Sequence, residues 1–269
     1  MIPPSYLEIT TQIGCSVACL KHCPQELIVK NYRGNRVMSL EQFKGFIRTV
    51  PQGLPIFFSG LSEPFQNQEA VDMISWAYHA RGHPVSVFST LTGLKPCDAE
   101  RLCEIPIDKF VLHLPDAYGN AKIPNHSQEY KDTRAIIESG IEHIETMSMG
   151  WNFVSNRCED MARGKITELK QGRRLCNFLE SPAYQLLPNG DVFFCCMVRG
   201  LSEKVGSLHE STYPELASLH PDISYRLQTD PRSVCHICNV SEKYWLRRLI
   251  QKKNEMLHDK TIMQILAGE

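Results

Sequence analysis

No long hydrophobic run occurs in the 269 residues. The longest, in "KFVLHL" and "GLPIFF", fall far short of the ~20 apolar residues that a membrane-spanning helix needs. Charge of neither sign is in excess: 29 Lys and Arg balance 30 Asp and Glu, for a net −1. No global field therefore draws the chain to nucleic acid or to an anionic membrane. There is no internal repeat and no low-complexity segment, which argues against a solenoid or a linker. The start, "MIPPSYLEIT", lacks the charged-then-apolar pattern of a secretory signal. The expectation is a cytoplasmic protein in a reducing compartment.

What is present in quantity is cysteine, eleven in all. Under reducing conditions clustered cysteines bind metal or do redox chemistry more often than they form disulfides. Cys15, Cys19 and Cys23 stand in "CSVACLKHC" at a four-residue stride, with Pro24 after them. Cys176, Cys195, Cys196, Cys235 and Cys238 form a second group. Cys97, Cys103 and Cys158 read as small buried apolar residues.

Hydrophobic periodicity predicts alternating elements through the first 160 residues. Strands are expected at 6–14, 55–60, 84–90 and 109–115, and helices at 39–50, 67–82, 97–105 and 127–140, before the segment 141–149. Ser39 is a candidate N-cap, and Gly82 and Gly140 are stop signals. About five such alternations predict an α/β fold whose parallel sheet is either open and doubly wound or a full or partial barrel. In both, chemistry collects in loops after the C-terminal ends of strands. The cysteine loop 15–23, "SGLSEP" (59–64) and "STLTG" (89–93) all follow expected strands. Near residue 165 the character changes. Two short strands flank a Pro-Asn-Gly-Asp turn at 188–191, irregular chain runs to "CHIC", and an amphipathic helix is expected from about 241.

Three thiols without a nearby fourth do not make the closed tetrahedral set of structural zinc. They suit a 4Fe–4S cluster with one iron left open, with zinc or no metal as the alternatives. In the second group Cys176 is followed by thirteen residues, Gly190, four residues and Cys195, and later by the pair Cys235 and Cys238. Four ligands close a site, for zinc or for a second cluster, with Cys195 as the expected ligand and Cys196 as the alternative at that position.

The first loop together with "SGLSEP" resembles the radical S-adenosylmethionine (SAM) superfamily. The second group resembles its "twitch" accessory domain, the short form of the SPASM extension. Size, the spacing of the late cysteines and "VSNR" (154–157) are similar to the small dehydrogenases typified by 2-deoxy-scyllo-inosamine dehydrogenase. One departure is plain. The usual CxxxCxxC loop with an aromatic before the last Cys is here CxxxCxxxC with His22 in that place.

The resemblance implies a partial (β/α)6-type radical SAM barrel over 1–165 and a twitch domain with a C-terminal helix over 166–269. Cys15, Cys19 and Cys23 would hold the cluster that cleaves SAM. Cys176, Cys195, Cys235 and Cys238 would hold a second 4Fe–4S cluster. Gly60 would let backbone approach SAM closely, and Glu63 would accept a hydrogen bond from its ammonium. Ser89 and Thr90 would touch its ribose or carboxylate, and His113 the cofactor or substrate. Arg157 would face the substrate and stabilise a developing oxyanion. Against these stand plainer readings: a solvated turn for Glu63, ordinary strand-end hydroxyls, a core histidine and a surface arginine.

The implied reaction is hydrogen abstraction from a small polar molecule by a 5′-deoxyadenosyl radical. In a dehydrogenation, the second cluster would accept the electron, and flavodoxin or ferredoxin would supply the initial reducing power. The alternatives are redox-neutral epimerisation, with Cys158 or Cys196 returning hydrogen, and modification of a peptide, protein or RNA. Outside the class stands a non-catalytic module with two zinc sites.

Overall fold

The computed structural model describes residues 6–19, 23–115, 119, 121–148, 170–180, 183–198, 200–238 and 241–243. Arg157, Cys158 and the "VSNR" segment lie outside the described residues.

Strands β1 (Tyr6–Ile9), β2 (Ile56–Phe58), β3 (Val85–Ser89), β4 (Lys109–Leu114) and β5 (Ile144–Ser148) alternate with helices α1 (Gln25–Asn31), α2 (Leu40–Ile47), α3 (Ala70–His79), α4 (Pro96–Cys103) and α5 (Gln128–Gly140). Then come β6 (Arg174–Leu175), α6 (Asn177–Glu180), β7 (Ala183–Leu186), β8 (Asp191–Phe193), β9 (Lys204–Ser207), α7 (Tyr213–Ser218), α8 (His220–Thr229) and β10 (Glu242–Lys243). The main sheet has the order β5-β4-β3-β2-β1-β7-β8-β9. Strands β5 to β7 run parallel, and β7-β8-β9 is an antiparallel meander. The α/β expectation is met, and so is the hairpin at 188–191. That hairpin does not stand apart: β7 lies along β1, with Leu7 opposite Tyr184 and Ile9 opposite Leu186.

Local sequence explains the starts of several helices. Ser39 and Gln42 form a reciprocal capping box on α2, and Ser127 caps α5. The helix expected from 67 begins at Ala70, because the Asn67 side chain is committed to the carbonyls of Thr11 and Met38. The strand expected over 6–14 ends at Ile9. Beyond it the Thr10 and Thr11 hydroxyls turn to the 61–64 loop, bonding Leu61 N–H and the Pro64 carbonyl. The helix expected from 241 is corrected at its start, since Glu242 and Lys243 pair with β6. The rest of that helix lies outside the described residues.

Crossovers between parallel strands are right-handed as a rule, so the sequential order β1 to β5 puts the intervening helices on one face of the sheet. That face buries Leu7, Ile9, Ile56, Phe58, Val85, Val87, Phe110 and Leu112 against Phe43, Ile47, Met73, Ile74 and Leu102. Period-two alternation leaves Tyr6, Glu8, Phe57, Phe88, His113 and Gln185 on the opposite face, which carries no helix among the described residues (hereafter the helix-free face). Tyr6 stacks on Phe57 at 4.2 Å, Phe57 meets Phe88 at 5.7 Å, and Phe88 meets His113 edge-on at 6.5 Å. An aromatic row thus crosses four strands beneath the loops at their C-terminal ends.

Candidate functional site

Because β1, β2 and β3 are parallel, the loops after them emerge on one edge of the sheet. Polar side chains stitch the first two together. Gln66 Oε1 accepts from the Ser16 backbone and from Gln12 Nε2, both at 3.1 Å, and Gln66 Nε2 donates to Ser16 Oγ at 2.5 Å. Ser62 Oγ donates to the Gln12 carbonyl at 2.6 Å. Within the cysteine loop Ala18 takes φ +46°, a left-handed conformation that costs a non-glycine residue on the order of 1 kcal/mol or more. Cys15, Cys19 and Cys23 are all partly buried. Burial pushes the Cys15 thiol up, opposed by the N–H groups of Glu63 and Val17, and the Glu63 and Cys23 charges add to the rise. Cys15 and Cys23 therefore share one electrostatic neighbourhood.

Glu63, Ser89 and Thr90, singled out from different loops, come together. The Glu63 carboxylate is 5% exposed. Its Oε1 accepts from Ser89 Oγ at 2.5 Å and Phe65 N–H at 3.4 Å. Its Oε2 accepts from the Thr90 backbone and hydroxyl, both at 2.7 Å. Burial raises its pKa, and those donors hold the rise back. The solvated-turn reading is thereby excluded for this conformation. Four protein donors fill the acceptor positions of the carboxylate, so a ligand ammonium must share an oxygen already engaged. Gly60 has φ +98°, and a Cβ there would lie 2.2 Å from Thr10 Oγ1. Only glycine fits where this loop crosses β1.

His113 stands on the helix-free face at the end of the aromatic row rather than in the helix-side core. Burial pulls its pKa down to about 4, so the ring is neutral near pH 7.

The late cysteines converge. Cys176, Cys195, Cys235 and Cys238 line one small, mostly enclosed pocket with Phe178, Leu179, Phe194, Met197 and Leu227. Cys196 does not line it. Cys195 opens a turn closed by the Val198 N–H on its carbonyl, and Cys196, one residue further on, feels the charge of Glu8 on β1 as well as those of Cys238 and Cys176. Burial drives the Cys195 and Cys235 thiols well up, and the neighbouring thiols push them further. Arg174, 3% exposed, opposes this at Cys235. Arg174 Nη2 bonds the Ser241 carbonyl, and Ser241 Oγ bonds the Cys235 and Cys238 carbonyls. Lys170 Nζ donates to the Cys238 and Ser241 carbonyls. Two cations thus tie the CxxC turn in place beside four thiols.

Among the described residues no three of His, Cys, Asp or Glu converge on one point as ligands of a single ion. Zinc would need its sulfurs about 2.3 Å from a common centre. A four-iron cluster takes each thiolate at a separate corner and so tolerates wider spacing. A buried apolar pocket lined by four thiols fits such a group: their thiolates would repel one another in the empty pocket, and bound iron would hold them deprotonated and offset that repulsion.

Sequence reasoning missed several residues here. Glu8 is 7% exposed on β1. Gln185 Nε2 reaches its carboxylate at 3.4 Å, while Gln185 Oε1 is buried without a hydrogen bond. The alternation in "YLEITTQ" puts Glu8 and Thr10 on the face opposite Leu7 and Ile9, and that was the available signal. Gln25, Gln66 and Arg174 carried no such signal.

No protein-family model matches the sequence, and no curated protein matches it. Solved structures match the fold. BtrN, a radical SAM dehydrogenase of 2-deoxy-scyllo-inosamine, in complex with AdoMet and 2-DOIA, superposes with a TM-score of 0.65 at 13% identity, covering 90% of this chain and 94% of that one. BtrN in an open conformation gives 0.60 at 13%, covering 90% and 97%. The radical SAM enzyme anSMEcpe with bound AdoMet and the Cp18Cys peptide gives 0.52 at 13%, covering 88% and 86%. The chain shares the mixed α/β fold of these proteins.

Proposed function

We propose that this protein is a radical SAM enzyme that oxidises a small polar substrate and passes the electron to an auxiliary 4Fe–4S cluster. The observation that carries the reading is the arrangement of cysteines on this fold. A three-thiol loop sits at the C-terminal edge of the parallel sheet, and a closed four-thiol pocket lies beside the adjoining β7–β8 hairpin. Bound together, the first cluster and SAM would supply a 5′-deoxyadenosyl radical that takes hydrogen from the substrate.

The protein's own part is placement. Cys15, Cys19 and Cys23 would hold the first cluster, which would bind SAM. Glu63, fixed by Ser89 and Thr90, offers a preorganised negative charge to the SAM ammonium, and Gly60 keeps that approach open. The Tyr6–Phe57–Phe88 row keeps water from the reacting region. Glu8 and Gln185 supply acceptors for substrate hydroxyls, and Arg157 favours loss of a hydroxyl proton. Cys176, Cys195, Cys235 and Cys238 hold the second cluster. A small-molecule substrate and a flavodoxin- or ferredoxin-type donor complete the scheme.

A second reading, redox-neutral epimerisation, draws support from Cys196, a thiol outside the lining of the four-thiol pocket that lies within the electrostatic reach of Glu8 as well as of Cys176 and Cys238. The test is anaerobic reconstitution followed by reaction with SAM and dithionite. Formation of 5′-deoxyadenosine is expected, and a colourless zinc protein that leaves SAM intact would refute both readings. An oxidised product supports the first, and an isomer the second.

A further inference from the structure

The extra residue in CxxxCxxxC raises the question of what holds the third thiol. Gln25 opens α1, two residues after Cys23. Its Nε2 donates to Cys23 Sγ at 3.0 Å and to the Leu61 carbonyl at 2.5 Å. The backbone adds Cys23 N–H to the Cys19 carbonyl at 3.1 Å and Gln25 N–H to the Cys23 carbonyl at 3.0 Å. Amide nitrogen and oxygen are often interchangeable in a structure, but not here. A backbone carbonyl only accepts, so the atom facing Leu61 must be the nitrogen. An amide nitrogen carries two hydrogens, one for each acceptor. Gln25 Oε1 is buried with no hydrogen bond, so this placement leaves one polar atom unsatisfied.

We propose that Gln25 is a positioning residue for the first cluster, tying the Cys23 sulfur to the loop of Glu63 and raising the reduction potential of the iron site. The inference rests on the radical SAM reading. An N–H aimed at a ligating sulfur stabilises the more negative, reduced state, so it shifts the potential upward. The same amide bonds Leu61, two residues before Glu63, and so couples the thiol's position to the SAM-side loop.

The experiment is a redox titration of the anaerobically reconstituted full chain, followed by electron paramagnetic resonance. The signal to follow is the one that changes when SAM is added. Gln25→Leu removes the donor, and Gln25→Glu replaces it with a charge of nearly the same shape. Both midpoints are expected to move negative, Gln25→Glu further, with the SAM-insensitive signal unmoved. A SAM-sensitive midpoint unchanged in both variants overturns the proposal. In the wild type, hyperfine coupling from a side-chain amide nitrogen is expected on the SAM-sensitive signal. Its absence overturns the proposal even if no variant assembles. A wild type with iron but no SAM-sensitive signal would instead overturn the underlying reading.

Discussion

Glu63→Ala removes the acceptor for four hydrogen bonds at once. The Ser89 and Thr90 hydroxyls can rotate to new partners, and Thr90 Oγ1 already has Thr92 Oγ1 at 2.9 Å. Neither the Thr90 nor the Phe65 backbone N–H can rotate, and both are left buried, but the Phe65 bond is already long at 3.4 Å and its loss adds little to that of Thr90 at 2.7 Å. One stranded buried donor costs about 1–3 kcal/mol, and the loss of charge-assisted bonds adds to it. Against this, the charge no longer suffers burial, which is what raises the pKa of Glu63. The balance is a destabilisation of about 1–3 kcal/mol, or a Tm drop on the order of 2–5 °C for a chain of this size. SAM affinity should fall about ten- to a hundred-fold from the lost ammonium partner. Thermal melts of the apo protein measure the first effect, and equilibrium dialysis of reconstituted protein the second. A Tm within 1 °C of wild type (below the ~2 °C minimum) would refute the buried-acceptor geometry. An unchanged SAM dissociation constant with a lowered Tm would leave Glu63 a structural residue only.

Replacing Cys15, Cys19 and Cys23 by Ala should abolish 5′-deoxyadenosine formation and leave about four irons of about eight, because the four-thiol pocket does not use them; retained SAM cleavage would contradict this. His113 has its pKa lowered by burial to about 4, against an unfolded value of about 6.5. Its contribution to stability is therefore full above about pH 6.5 and is lost as pH falls toward 4. His113→Leu should flatten that acid limb in urea titrations at pH 7 and pH 5, and an equally steep loss in the variant would clear His113 of responsibility. Arg157→Ala should leave iron content and SAM cleavage intact while product per 5′-deoxyadenosine falls by about two orders of magnitude. Arg157→Lys should restore little of it, since a point ammonium cannot reproduce the planar fork.

Local signals carried much of the fold. Alternation marked the strand that begins at Tyr6, Ser39 declared the start of α2, and the Pro-Asn-Gly-Asp turn marked the β7–β8 hairpin. Pairings between distant residues were not legible. Nothing near Ala183 tells that β7 will lie along β1, and nothing near Glu63 tells that Ser89 and Thr90, 26 and 27 residues away, will close around it. Cysteine spacing named the four-thiol set but left Cys196 as the alternative to Cys195. Only the twist of the chain into the pocket separates them. Helix α1 was missed because its sequence, "QELIVKN", is a short turn of helix held by packing of Ile28 rather than by a capping signal.

The most direct measurement is the iron and sulfide content of protein purified without oxygen, taken with its SAM cleavage under dithionite. The account predicts about eight irons and eight sulfides per chain and steady 5′-deoxyadenosine formation. About four irons with SAM cleavage intact would remove the auxiliary cluster, and zinc in place of iron with SAM untouched would contradict the account as a whole.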